Sequence, residues 1–517
     1  MKLIGAADAV GLVGDGTTLI IGGSGGGHAV PQLFIDSLAA RFSQTGGPRD
    51  LTTVRVVGIG DFGERGFSQL ALPGLMKRTI GSNLGNEPAL ADLIAGGELE
   101  AYSFPQGVLS QLCREIAAGR PGLFTKIGLG TYVDPRQTGG KQGIASEDLV
   151  EVHEIGGEEW LFFKSFPIDV AVIRGSVIDE DGNLSMEDEA VRGEMLAMAM
   201  AAHNSGGIVI SQAKTLAPRH SLVPRRVEVP GALIDYAYLD PAQTQTYVTD
   251  ASPYYSGQDR MEPTPTQPEP VDIRKVIARR SLTEFGPGDI CNLGFGISQS
   301  IGRIAWEEGI ADRLVLTVEQ GVFGGVPASG NDGGAGFNFQ ALIEQPAMMS
   351  FYDGGGLDIA SLSFAEVDRH GNVNVHKFGD RLRGPGGFQN IATATPRVCF
   401  VGTFTAGGEV GVVDGRLEIE REGGVRKFVD EVTEITFSGE QARLREQEVL
   451  YITERAVFRL GDEGLDLIEV ADGVDVERDI LAHMDFHPVI AEPLGRMDPA
   501  LFRNEPLGLS ERFGADV

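Results

Sequence analysis

Leu316-Thr-Val-Glu-Gln-Gly-Val-Phe-Gly-Gly-Val-Pro327 is the stretch whose reading decides the fold. A β-favouring run (Leu314, Val315, Leu316, Val318) stops at the carboxylate of Glu319, and a glycine-rich turn follows at once. A short apolar run of this kind reads as a strand buried in a parallel sheet. In open α/β sheets, ligands gather beyond the carboxyl ends of the strands, and Glu319 stands at such an end. Gly321, Gly324 and Gly325 would let backbone and ligand come close to it. Glu319 is therefore either a nucleophile or an ordinary surface acid, and the rest of the chain must decide between the two.

Upstream of this stretch, Gly288–Gly296 reads as a strand and glycine loop, and Ser298–Glu308 as a helix with Ile301, Ile304 and Ala305 facing inward. The first half of the chain opens the same way. Thr17–Ile21 is a short buried strand, Gly22-Gly-Ser-Gly-Gly-Gly27 a loop, and His28–Phe42 a helix with Pro31 in its first turn. Strand and helix signals then alternate: Leu51–Gly58, Glu87–Ala95, Leu99–Phe104, Val108–Ala118, Asp169–Gly175 and Ile208–Ser211. This pattern predicts βαβ units, an α/β fold with mostly parallel sheets.

The two halves also match weakly in order. Gly23-Ser-Gly25 pairs with Gly294-Phe-Gly296, Gly60-x-Phe-Gly63 with Gly321-x-Phe-Gly324, and Asp181-Gly-Asn183 with His370-Gly-Asn372. In this match Glu319 falls opposite Gly58, so only one half carries the acid. Prolines 253, 263, 265, 268 and 270 mark residues 251–272 as a linker between domains at 1–250 and 273–517.

Composition bounds the function. The chain has 517 residues, too many for one core. No apolar run of 18 or more residues predicts a membrane span, and the N-terminus lacks a secretory signal, so a cytoplasmic protein is expected. A net charge of −30 disfavours nucleic acid and anionic membranes as partners. Cys113, Cys291 and Cys399 are far apart in apolar surroundings and read as buried reduced thiols. The eight histidines form no HExxH or metal triad. No GxSxG elbow is present, and elimination leaves a carboxylate as the best nucleophile candidate.

Three other places could serve a site. Gly23 and Gly25 lie between strand and helix, an arrangement that either binds an anion or packs the helix closely on the strand. Gln106 sits at a strand-to-helix junction, as a donor to a carbonyl or carboxylate or as a polar cap. Arg381-Leu-Arg383-Gly384-Pro-Gly386-Gly387 combines positive charge with amides, suited to an anionic ligand or oxyanion, or to a tight surface turn.

The ordered set of motifs is similar to family I coenzyme A-transferases in their fused single-chain form, such as the propionate and acetate enzymes. It comprises Ser103-Phe-Pro-Gln-Gly-Val-Leu-Ser110, Gly128–Arg136 with Gly139-Gly-Lys141, and Glu319-Gln-Gly-Val-Phe-Gly-Gly325. It continues with Phe351–Asp358, Gly371–Val375, Gly384-Pro-Gly-Gly-Phe388 and Thr403–Gly408. The resemblance implies two related α/β domains of the CoA-transferase (NagB/RpiA-like) type. It implies Glu319 as nucleophile, Gly386 or Gly387 as an oxyanion-hole amide, and Gln106 against the acyl carboxylate or carbonyl. Gly23, Gly25, Gly321, Gly384 and Arg383 would bind substrate or CoA. No permanent cofactor or metal is implied; CoA enters as a substrate, with an acyl-CoA and a short-chain carboxylic acid as partners and a homodimer or homotetramer as the assembly. A thioester hydrolase or C–C-cleaving relative on the same fold, and a non-catalytic acyl-CoA sensor, are the alternatives. The Gly22–Pro31 loop and Asn83 depart from the family pattern.

Overall fold

Thr18–Ile21 forms the strand its apolar run predicts, and its side chains divide between two cores. Leu19 and Ile21 join one buried cluster, Ile20 the other. The same alternation recurs in Val170–Asp179, where Val172 faces one cluster while Ala171 and Ile173 face the other. A strand buried on both faces needs helices on both sides. The helix Gln32–Thr45 covers one face through Phe34, Ile35 and Leu38; Gln106–Ala117 and Met195–Asn204 cover the other.

The structure is a computed structural model describing residues 1–262, 268–379 and 381–514. Two units are distinguished. The first gathers Met1–Met261, Val318–Ser350 and Phe378–Asn390; the second gathers Glu262–Thr317, Phe351–Lys377 and Ile391–Val517.

In the first unit the sheet runs Lys2–Leu3, Tyr236–Leu239, Ile208–Ala217, Val170–Asp179, Thr18–Ile21, Leu51–Val54, Met76–Gly81, Glu100–Ser103 and Lys141–Gly143. All neighbours along this path are parallel except the last pair. In the second unit, Val315–Val318, Ile290–Leu293, Ile359–Ser363, Arg397–Val401 and Glu448–Ile452 lie side by side in parallel, followed by antiparallel strands at Ala456–Leu460 and Leu465–Val470.

The duplication is visible strand by strand. The order 51–54, 18–21, 170–179, 208–217, 236–239 has the same connectivity as 315–318, 290–293, 359–363, 397–401, 448–452. The turns agree to the atom. Asp179 accepts from the amides of Asp181 and Asn183 and from Asn183 Nδ2, each at 2.9 Å. Asp368 accepts from the amides of His370 and Asn372 and from Asn372 Nδ2 at 2.9, 3.0 and 2.9 Å. Asn183 Oδ1 then accepts from Gly231 and Asn372 Oδ1 from Gly439, at 3.0 and 2.9 Å.

Register corrects one detail. Ile20 pairs with Val54 and Cys291 with Leu316, which places Glu319 opposite Val57; the first unit has one extra residue before Gly60. Val57 is no more an acid than Gly58, so the inference from the match stands.

The domain layout also differs from two uninterrupted halves, because segments 318–350 and 378–390 belong with the first unit. The stretch expected as a linker begins anchored. Tyr255 donates to Asp332, and the Met261 amide to Asn338 Oδ1 at 2.8 Å. Asp272 caps the helix Ile273–Leu282 by accepting from the Lys275 amide. Prolines forbid regular elements there without preventing side-chain anchorage. Of the five prolines, Pro263 and Pro265 lie outside the described residues.

Asp179→Ala and Asp368→Ala each remove a buried carboxylate that satisfies three donors of its turn. Each is expected to cost its unit about 1–3 kcal/mol, read as a lowered denaturation midpoint, and the two losses should be similar.

Candidate active site

The strand Val315–Val318 delivers Glu319 and Gln320 to the corner of a turn closed by the Gly321 amide, which donates to the Val318 carbonyl at 2.9 Å. Gly321 has φ +115°, and a β-carbon there would lie 2.0 Å from the Ile343 carbonyl oxygen, so only glycine fits. Glu319 is half-buried and Gln320 buried. Gln320 Nε2 is 3.5 Å from Glu319 Oε1 and 3.4 Å from Ser24 Oγ.

Ser24 belongs to the loop Gly22–Pro31, which is more internally bonded than a free anion site. The Ser24 and His28 amides donate to each other's carbonyls at 2.9 and 3.0 Å, and the Gly25 amide to Gly58 at 2.8 Å. Gly25 therefore offers no free amide to an anion, and the close-packing alternative describes the loop better. A β-carbon on Gly23 would meet Val30 at 2.5 Å, and one on Gly26 would meet the Asn331 carbonyl oxygen at 2.0 Å. His28 is fully buried; its Nε2 lies 3.0 Å from the Gly333 carbonyl. Burial, the largest effect, pulls its pKa down to about 4, so the ring is neutral and Nε2 carries the donated hydrogen. Asp332, beside Gly333, accepts from Thr246, Thr249 and Tyr255 at 2.6, 2.9 and 3.2 Å.

A second set of residues gathers at Gln106. The helix begins at this residue, as Pro105 fixes the N-cap and Gly107 cannot be larger: a β-carbon there would meet Asn390 Nδ2 at 2.2 Å. The Gln106 amide donates to the Gly386 carbonyl at 3.0 Å, and the Gly107 amide to Asn390 Oδ1 at 2.9 Å. Gly384, at φ +80°, lies against the Ser82 carbonyl, 2.2 Å from where its β-carbon would be. The Arg383 carbonyl accepts from Leu84 and Gly85 at 2.7 and 2.8 Å.

A β-carbon built on Gly386 would have Gln106 Oε1 at 3.8 Å and Asn83 Nδ2 at 4.0 Å. These three groups therefore converge. Asn83 also touches Gly58, whose β-carbon would meet its carbonyl oxygen at 2.4 Å, and Gly58 holds Gly25. Gln106 Nε2 is buried and has no hydrogen-bond partner among the described residues.

The Gly386 amide donates to the Ser82 carbonyl at 3.3 Å, and Gly387 is buried immediately before the helix Phe388–Ala394. The Arg383 side chain is exposed, and its structural work is done by the backbone carbonyl. The cysteines are buried with raised pKa values, Cys399 to about 12, which makes them poor nucleophiles. Ser24, Ser82, Asn390 and Gln320 escaped sequence reasoning as site residues. Only Gln320, beside the acid, carried a positional signal. Among the described residues, no group of three or more His, Cys, Asp or Glu could hold a metal, and no helix is long and apolar enough to cross a membrane.

Comparison with known proteins gives the family. Residues 4–239 match the family described as coenzyme A transferase. The chain is 42% identical over 511 residues to acetate CoA-transferase YdiF of Escherichia coli K12, covering 98% of this chain and 96% of that protein. It is 43% identical over 522 residues to caffeate CoA-transferase of Acetobacterium woodii, covering 99% of each. A crystal structure of the E. coli O157:H7 acyl-CoA transferase YdiF, described as a thioester complex with CoA, superposes with a TM-score of 0.94 at 42% identity, over 98% of this chain and 97% of that one. The chain belongs to the coenzyme A transferase family. It is a CoA-transferase, with coenzyme A as cosubstrate, acting between acyl-CoA and carboxylic acids.

Segment 318–350 is tied down at its far end by a buried acid–amide pair. Gln345 Nε2 donates to Glu194 Oε2 at 3.0 Å, and the Gln345 amide donates to Gly193 at 3.0 Å. Burial raises the Glu194 pKa from 4.5 to about 8. The folded state thus keeps a proton that the unfolded chain releases. This contribution to stability is complete below about 4.5, shrinks as pH rises, and is lost by about 8. In Glu194→Gln the decline of the denaturation midpoint across that window should be shallower than in the wild type; parallel profiles would contradict a buried neutral Glu194.

Proposed function

We propose that Glu319 is the nucleophile of a ping-pong transfer through a glutamyl-CoA thioester. The observation that carries this is its placement: a half-buried carboxylate on a glycine-only corner at a strand end, beside the buried amide of Gln320. The thioester complex of a 42% identical relative supports it.

Moving CoA between two acids is nearly isoenergetic, so the difficulty is kinetic: a free carboxylate is a poor electrophile. A protein carboxylate overcomes it covalently. Glu319 attacks the acyl-CoA carbonyl, the C–S bond breaks, and a mixed anhydride and CoA thiolate form. The thiolate then attacks the Glu319 carbonyl carbon, and the donor acid leaves as its carboxylate. The acceptor carboxylate attacks the resulting thioester, and the same bonds form and break in reverse. Each addition places negative charge on a carbonyl oxygen. The amide of Gly387, next to Gly386 on which Gln106 and Asn83 converge, and Gln106 Nε2 are the donors suited to hold the acyl group and its oxyanion; losing one such donor typically costs about 10²–10³-fold in rate.

The preferred acids are short-chain carboxylic acids. The names of the two relatives span acetate and caffeate, acids of very different size, so the pocket wall, including the Gly22–Pro31 loop and Asn83, is where selectivity would be set.

Borohydride reduction after incubation with acyl-CoA alone, followed by peptide mass mapping, should locate the reduced side chain at Glu319. CoA bound with Glu319 unmodified would sink the proposal. Glu319→Ala should abolish transfer in a folded protein. Glu319→Asp should lose about 10²-fold or more, because a one-carbon retreat misplaces the attacking oxygen. Supplying two acids with one acyl-CoA distinguishes transfer from hydrolysis: CoA must appear on the second acid, not free in solution.

A further inference from the structure

The corner that carries Glu319 is supported by two loops. Gln320 is buried; one side of its amide lies near Ser24 Oγ at 3.4 Å and Glu319 Oε1 at 3.5 Å. The amide also packs against Gly334, where a β-carbon would come within 3.3 Å of Gln320 Cδ and 3.5 Å of its Nε2. Gly334 sits at φ +112°, and the same β-carbon would be 3.5 Å from His28 Cδ2. The neighbouring Gly333 carbonyl accepts from His28 Nε2 at 3.0 Å. The turn preceding Gly334 is held in place by the three hydroxyls on Asp332.

Ser24 cannot retreat, because its backbone is bridged to His28 in both directions. His28 thus fixes both supports: Ser24 through the backbone and Gly334 through the ring.

We infer that Gln320 is the positioning residue for the Glu319 carboxylate, with Ser24 and the His28–Gly333 hydrogen bond fixing the direction in which its amide N–H points. This rests on Glu319 being the nucleophile and adds what aims it. A carboxylate on a flexible stem presents either oxygen along many directions. A donor beside Oε1 restricts the rotamers from which the carboxylate can attack. Aligning attacker and target is worth orders of magnitude in rate, and catalytic hydrogen bonds that are long in the free enzyme tighten when substrate binds. Turned over, the amide would set its own oxygen against the carboxylate, so the Ser24 side must receive the NH2 group.

The test uses Gln320→Met, which keeps the volume and removes the donor, and Ser24→Ala, with the double variant. Gln320→Met should lose about 10²-fold in kcat and in the single-turnover rate of Glu319 thioester formation, with the KM for acyl-CoA within about two-fold of wild type. Ser24→Ala should lose less, and it should lose nothing further when added to Gln320→Met, because Ser24 acts through that amide. A residue that merely filled space would change thermal stability without splitting kcat from KM.

Wild-type kcat in Gln320→Met, or losses that simply multiply in the double variant, would overturn the positioning role. A thioester on Glu319 in wild-type protein would then leave the nucleophile standing. Failure to find that thioester would remove both. If Gln320→Met does not fold, Ser24→Ala alone decides: a kcat loss at constant KM supports the role, and an unchanged kcat overturns it.

Discussion

At Gly321 a β-carbon would press into the Ile343 carbonyl oxygen, and the backbone is left-handed, so the corner after Val315–Val318 admits only glycine. Glu319 and Gln320 are the two residues ahead of that glycine. The acid is therefore presented by a rigid corner at a strand end. The supports behind it are of the same kind. Gly26 against Asn331, Gly384 against Ser82 and Gly107 against Asn390 are all contacts in which a side chain would collide with a neighbour. Part of the glycine excess of the chain serves these close approaches.

That use of glycine also revises the electrostatic picture. In a chain of net charge −30, an anionic substrate must be met by local donors. In the first glycine loop the Ser24, Gly25 and His28 amides are already bonded within the protein. Gln106 Oε1 and Asn83 Nδ2 converge on Gly386, while the Arg383 side chain is exposed and its carbonyl is bonded to Leu84 and Gly85. A buried amide N–H without a protein partner is costly unless something else accepts from it. Gln106 Nε2 is such a group.

The repeated scaffold explains why the acid is informative. Asp179 and Asp368 hold their turns with matching sets of bonds, so the two sheets follow one plan closely. Where the second half carries Glu319, the first carries Val57 by strand register. Folding alone does not call for a carboxylate at that point.

Much of this was legible from residues alone. Apolar runs and glycine punctuation are local properties, so the parallel α/β class, most elements to within a few residues, and Glu319 at a strand end could be read directly. The resemblance of ordered motifs added the family. The sequence could not show that 318–350 and 378–390 join the first unit, that Asn390 seats the Gln106 helix, or that His28 ties two loops behind Gln320. Those facts depend on contacts between residues hundreds of positions apart, and such contacts leave no periodicity and no spacing in the chain. Hydrogen-bond partners are chosen by the packed fold. The sequence named the groups able to donate and accept, and only the tertiary structure decided which of them were already taken.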